Sequence, residues 1–328
     1  MSTFIKAGLW TKKKTGYLGE LDLNLLIAQN GGAGVIATSE GGTMYSTNPI
    51  AGVPTVDTTN SIFLGNFAGE GATNAAGSNF FGQYAGSGAI NAEDSNFLGD
   101  SAGAGATDAS YSNFFGVDSG VGANYASYSN FLGYQAGYQA TNANNSNFLG
   151  NNAGSGATDA YQSTFIGTKA GENATNAFGS NFIGTQAGYE ATNANNSTFI
   201  GENAGNGATD AHNSNFLGNV AGYQAINATQ SNFLGNGAGD SATNANNSNF
   251  LGNNAGKNSS GNNVNAFGVS AGEGNTLSGK TIFSNASMPS YVNRAAAVAA
   301  ITVLLGGSAE STYLYYNETT FGIEAVRL

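Results

Sequence analysis

From Ser61 to Gly256 one arrangement of apolar and polar residues recurs every 17 residues, twelve times, without insertion or deletion: Ser-Asn-Phe-Leu-Gly-x-x-Ala-Gly-x-x-Ala-Thr-Asn-Ala-x-x. Phenylalanine falls at 63, 80, 97, 114, 131, 148, 165, 182, 199, 216, 233 and 250, followed each time by Leu, Ile or Phe and then by Gly. A strict period in this range predicts a solenoid in which each repeat is one coil. Two stretches of each repeat are expected to form short strands, one around the Phe and one around the Thr, with glycine corners between them. Seventeen residues trace a perimeter of at most roughly 55 Å, so a coil encloses one layer of side chains, Phe or Leu against the alanines. Stacking at about 4.8 Å then aligns identical residues into ladders. Ser61 to Ser248 and Asn74 to Asn244 are the expected polar ladders.

Adjacent strand residues point to opposite faces, so a Phe-Leu pair makes the strand apolar on both sides. One face fills the coil and the other needs a partner, because a monomer would carry a stripe larger than soluble monomers expose. Phe148, Leu149, Phe165, Ile166, Phe182 and Ile183 are the representative core or interface positions, and a homotrimer around a central axis is the expected assembly.

The flanks depart from the period. Residues 1–43 are expected to be a small N-terminal β region, with Leu21, Leu23 and Leu25 alternating with polar residues. Phe4, Trp10 and these leucines are its candidate attachment residues, and Lys12, Lys13 and Lys14 form its basic run. Residues 44–60 are a degenerate capping coil, in which Pro49 and Pro54 discourage edge pairing. The shaft spans 61–283; Phe267-Gly268 continues the pattern one residue short, and Ile282-Phe283 is its last echo. Residues 284–328 are expected to be a helix opening at Ser287 to Ser290, ended by Gly306-Gly307, then a hairpin of Thr312 to Tyr316 and Ile323 to Leu328. Tyr291, Tyr313, Tyr315 and Tyr316 either form a contact surface at this tip or pack on its helix. A second period of 51 residues, three repeats, places Asp108, Asp159 and Asp210 in one register and points to duplication of a three-coil cassette.

Composition narrows the function. Of 328 residues 9% are charged, fifty are Gly and none is Cys, so thiol catalysis and disulfides drop out. The net charge is −11 and Lys169 is the one basic residue in the repeats, the opposite of a nucleic-acid footprint. Residues 1–30 have no signal-peptide pattern, and there is no run of 18 apolar residues, so membrane insertion is not expected.

Candidate chemistry is sparse. Asp108, Asp159 and Asp210 lie three coils, about 14 Å, apart, whereas glycosidase carboxyls need roughly 5 to 9.5 Å. Asp100 with Asp118 and Glu172 with Glu190 fall diagonally on neighbouring coils, at turn positions that suit solvated charges. His212 occupies a variable turn slot and is expected to face solvent. The Thr row at 141, 158, 175, 192 and 209 is interrupted elsewhere by Ile90, Asn124 and Ile226, which argues against a flat ice-binding array. The calcium β-roll signature Gly-Gly-x-Gly-x-Asp is missing. The expectation is a structural protein with no catalytic residues, cofactor or metal.

The repeat Ser-Asn-Phe-Leu-Gly-x-x-Ala-Gly-x-x-Ala-Thr resembles the Ser-x-Ala-Ile-Gly-x-x-Ala-x-Ala repeat in head domains of trimeric autotransporter adhesins, which form trimeric left-handed β-rolls. The period here is longer, Phe replaces a small residue, and a membrane-anchoring barrel has no counterpart. The architecture is more similar to bacteriophage fibres, tail or head, which join an N-terminal attachment region to a repetitive trimeric shaft and a C-terminal knob. Tyr291-Val-Asn-Arg-Ala-Ala-Ala297 and Leu314-Tyr-Tyr-Asn-Glu-Thr-Thr320 are similar to C-terminal segments of phage structural proteins. This resemblance implies a virion protein made in the host cytoplasm. Its partners would be two copies of itself, a virion protein at the N-terminal end, and a host surface glycan or protein. A bacterial trimeric surface adhesin is the alternative.

Overall fold

The computed structural model describes residues 60–283 in full and the backbones of 35–39, 42–46, 290–291, 312–317 and 322–327. Phe4, Trp10, Leu21, Leu23 and Leu25, the two capping prolines and residues 292–311, over which most of a helix is expected, lie outside the described residues. The chain divides into two units, residues 1–139 and 140–328.

In the first unit β1 (Val35–Ser39) pairs antiparallel with β2 (Gly42–Ser46). β2 then pairs parallel with β3 (Ile62–Leu64), setting Met44 beside Phe63, so this strand crosses the division drawn at residues 43 and 44. β4 (Asn79–Phe81), β5 (Asn96–Leu98), β6 (Asn113–Phe115) and β7 (Asn130–Leu132) follow in chain order, parallel and in register, with Phe beside Phe. The second unit repeats the arrangement through β8 (Asn147–Leu149), β9 (Thr164–Ile166), β10 (Asn181–Ile183), β11 (Thr198–Ile200), β12 (Asn215–Leu217), β13 (Asn232–Leu234) and β14 (Asn249–Leu251). Each unit is thus a parallel β-solenoid with one 17-residue repeat per coil, as the period predicts.

The strands are three residues long because the rest of the coil turns away continuously. Numbering each coil from its serine as position 1, the coil Ser146–Gln162 has left-handed or mirror-β backbone at Gly150, Asn152, Gly154, Gly156, Asp159 and Gln162. These are positions 5, 7, 9, 11, 14 and 17, and Gly, Asn and Asp adopt such conformations at least cost. The second expected strand therefore does not form. Thr at position 13 makes only isolated parallel bridges, such as Thr175 to Thr192 and Thr192 to Thr209, because Asn193 next to it turns left-handed at φ 48°.

The core is the single layer expected. Phe182 and Phe199, and the alanines at positions 8, 12 and 15 such as Ala187, Ala191 and Ala194, are fully buried. Phe rings stack coil on coil with centroids 4.6 to 4.9 Å apart over most of each unit. Phe148 and Phe165 are the exception, meeting edge to face at 5.3 Å. Two glycines are dictated by this closeness. A Cβ on Gly188 would stand 2.4 Å from the Phe182 ring, and one on Gly184 would stand 2.5 Å from the carbonyl oxygen of Gly201.

The serine ladder closes each coil. Ser180 Oγ donates to Ala194 O at 2.6 Å and accepts the amide of Ser197 at 3.2 Å, which satisfies a hydroxyl with no solvent exposure. The same pair of bonds joins Ser163 to Ala177 and Ser180. Backbone bonds to the coils on either side complete the arrangement, for example Gly205 N to Ala221 O and Gly207 N to Tyr189 O, both 2.8 Å.

Toward the C-terminus the period shortens. β15 (Asn265–Phe267) follows β14 after 16 residues, so Ala266 takes the core place opposite Phe250 and Phe267 is displaced to the outward place beside Leu251. β16 (Thr281–Phe283) repeats the shift: Ile282 enters the core and Phe283 packs outside against Phe267 at 5.5 Å. Ile282-Phe283 is a full strand of the sheet.

β18 (Thr312–Asn317) and β19 (Gly322–Arg327) form an antiparallel hairpin. β17 (Ser290–Tyr291) pairs parallel with β18, placing Ser290 beside Tyr316. Ser290 and Tyr291, expected at the opening of a helix, are therefore strand residues, and pairing with the hairpin gives them backbone partners that a helix N-terminus would leave orphaned. Tyr291, Tyr313, Tyr315 and Tyr316 all lie on these paired strands.

Candidate functional site

The outward face of the sheet carries the first candidate surface. Positions 2 and 4 of each coil share this face, since side chains alternate along a strand. Position 4 makes an apolar row: Leu64 is 43% exposed and Ile166 38%, while Leu149 and Ile183 are half-buried. Phe148, Phe165 and Phe182 sit behind them, wholly inside the coil. The six representative positions thus separate into a core row and an outward row, as the alternation predicts. Beside the apolar row runs an amide ladder at position 2. Asn79, Asn96 and Asn113 each donate through Nδ2 to the Oδ1 of the next, at 2.8 to 2.9 Å, reaching Asn130. In the second unit Asn215, Asn232 and Asn249 continue in the same way to Asn265. The ladder fixes its amides in plane, so the face presents apolar side chains on an ordered polar border.

A second surface lies between positions 14 and 16. Position 14 is the predicted Asn ladder, and the three-coil cassette gives it an order. Asn74 donates to Asn91 at 2.8 Å and Asn91 to Asp108 at 2.6 Å; Asn176 donates to Asn193 and Asn193 to Asp210, both at 2.6 Å. Asp has no amide hydrogen to pass on, so the donor chain stops there. Asn142 to Asp159, at 2.5 Å, is a shorter version.

Grooves follow this ladder in both units. In the first, a groove of about 450 Å³ is lined by Asn74, Asn91 and Asp108 on one side and Ala76, Glu93, Ser110 and Ser127 on the other. Ser110 and Ser127 hydroxyls bond the carbonyls of Asn91 and Asp108 and close its floor. In the second, a groove of about 510 Å³ has Asp159, Asn176, Asn193 and Asp210 facing Tyr161, Phe178, Asn195 and His212. Tyr161 and Phe178 stack at 5.2 Å with their planes 6° apart. His212, expected to face solvent, is a half-buried wall of this groove, and its Nδ1 lies 3.5 Å from Thr229 Oγ1. Sequence reasoning missed the groove, although ring residues recurring two places after Asn or Asp, at 161, 178 and 212, carry its signal.

The carboxylates considered for catalysis have other partners. Glu190 donates its amide to Glu172 O at 2.9 Å, but Glu172 pairs with Lys169 at 3.3 Å. A hydrogen bond between Tyr189 and Glu190 raises the Tyr189 phenol above its ordinary pKa, and Lys169 Nζ lies 5.5 Å from the Tyr189 ring. Asp118 accepts from Gln135 at 3.5 Å, and Asp100 from Ser101 at 3.0 Å. Glu93, and after it Asp94, raise the pKa of the Tyr111 phenol, which stacks on Tyr128 at 5.0 Å.

Comparison of the chain with protein-family models, with curated proteins and with solved structures finds no match.

Proposed function

We propose that this chain is a structural fibre protein of a bacteriophage particle, a homotrimer whose solenoid acts as a stiff spacer between virion and host surface. The observation that carries the reading is the outward row of Leu, Ile and Phe at position 4, from Leu64 to Leu251, on a strand whose core is already complete within one chain. A single chain fills its coils with Phe and Ala and has no further use for this row. Covering it with copies of itself is favourable by about 25 cal/mol per Å² of apolar area taken out of water, and the in-register rows match from coil to coil. Stiffness follows from the ladders: adjacent coils are joined by backbone bonds, stacked Phe rings and Asn amides, so bending would break several at once. The N-terminal region, with Phe4, Trp10, Leu21, Leu23 and Leu25, is the proposed virion attachment. The C-terminal hairpin, with Tyr291, Tyr313, Tyr315 and Tyr316, is the proposed tip.

Light scattering on the purified chain tests the assembly: three chain masses are expected, and a stable monomer would overturn it. Immunogold labelling of phage particles tests location, with label on fibres the expected result.

A further inference from the structure

We propose that the groove of the second unit holds a pyranose ring of a neutral glycan, in a slot between the rings of Phe178 and His212. At position 16 the row reads Tyr161, Phe178, Asn195, His212, one residue per coil. Tyr161 covers one face of Phe178. The row then skips a ring, because Asn195 is too short to continue the stack. The next ring, His212, is two coils beyond Phe178. At the 4.6 to 5.2 Å spacing of the ladders that separation is roughly 10 Å, twice the distance at which one flat ring stacks on another. One ring-shaped ligand fits between them.

The walls select its chemistry. The face of Phe178 turned away from Tyr161 asks for a ligand with C–H or π surface, His212 closes the far end of the slot, and the floor and far side ask for hydrogen bonds around the ligand's rim. Asn195 forms the floor, and among the described residues its side-chain amide makes no hydrogen bond. Asn193 spends one N–H on Asp210 and has a second to give. Asp210 accepts that bond through Oδ1, and Oδ2 has no partner among the described residues. A pyranose with equatorial hydroxyls has this form, with C–H on both faces and alternating donors and acceptors at the edge. The groove lining contains carboxylates of Asp159 and Asp210 and no Lys or Arg, which disfavours phosphate and acidic sugars. The groove continues past Asn176 to Asp159, so a sugar on that side of the slotted ring stays in contact with the amide row. The first unit has the same ladder with Ala76, Glu93, Ser110 and Ser127 in place of rings, and therefore no slot. One chain builds the whole site, so the inference does not rest on the fibre reading.

Saturation-transfer NMR on the full chain tests this, with cellohexaose, maltohexaose and the hexamer of N-acetylglucosamine as probes and adenosine as a flat aromatic comparison. At least one hexasaccharide is expected to receive saturation on its ring C–H protons, with a Kd around 1 mM or tighter. Asn195→Tyr inserts a ring that continues the stack of Tyr161 and Phe178, so it preserves the coil while filling the slot. It is expected to weaken sugar binding about tenfold or more, as is Phe178→Ala, while solution mass and circular dichroism of Asn195→Tyr stay unchanged. No saturation of any hexasaccharide at about 1 mM, saturation of adenosine alone, or unchanged sugar binding by Asn195→Tyr would each overturn the proposal.

Discussion

Ser180 Oγ hydrogen-bonds Ala194 O at 2.6 Å, fourteen residues later in the same coil, and so ties the end of the turn to its beginning. The hydroxyl also accepts the Ser197 amide of the following coil at 3.2 Å. One buried side chain thus closes a coil and joins it to the next. Ser180→Ala leaves both Ala194 O and Ser197 N–H buried without this partner, and a cost of about 1 to 3 kcal/mol is expected. Urea unfolding reads it as a lower midpoint. A change below a few tenths of a kcal/mol would mean that water or a backbone shift replaces the hydroxyl.

Phe182 and Gly188 depend on each other. Phe182→Ala empties part of the single core layer and is expected to cost about 3 to 5 kcal/mol. Gly188→Ala drives a methyl to 2.4 Å from that ring at a φ of +64°, so it too destabilises. The double variant is expected to lose less than the sum of the two, because removing the ring removes the clash and leaves only the backbone strain. Strict additivity in the double-mutant cycle would contradict the contact.

Val220 has φ +50° and is the one β-branched residue among the described non-glycine residues in the left-handed region. Its place in the coil is held by Asn203 one repeat earlier and Asn254 two repeats later, both also left-handed. Val220→Asn is expected to stabilise by about 1 kcal/mol through relief of that strain. Calorimetry checks it: the unfolding temperature should rise, and a fall would mean that the valine side chain packs better than its backbone suffers.

Leu149, Ile166 and Ile183 lie outside the coil in successive repeats, so replacing all three with Ser spares the Phe layer behind them. If copies of the chain cover this row, the triple variant is expected to fall from trimer to monomer in light scattering while its strand signal in circular dichroism persists. An unchanged trimer would place the contact face elsewhere on the coil. Loss of the strand signal as well would show that assembly and coil formation are one transition.

The period, the Phe core, the outward Leu or Ile row and the Ser and Asn ladders were legible in the sequence, because a repeat without insertions forces equivalent residues into equivalent places and strand alternation assigns their faces. The short end coils show where that reading ran out. Phe267 keeps the 17-residue count from Phe250, yet it lies outside, because β15 keeps its alignment with β14 by drawing Ala266 inward. Counting follows residues, whereas backbone pairing decides which of them points in. The Thr stretch failed for a local reason: Thr favours a strand but the Asn beside it favours a left-handed turn, and the turn wins since a 17-residue coil must close on itself. The groove between Asn193 and His212 left only a faint mark in the chain order, a ring two places after Asn or Asp at 161, 178 and 212. Its two walls are two residues apart in sequence and belong to different rows, and only stacking coil upon coil brings Phe178, Asn195 and His212 into one line with a gap in it.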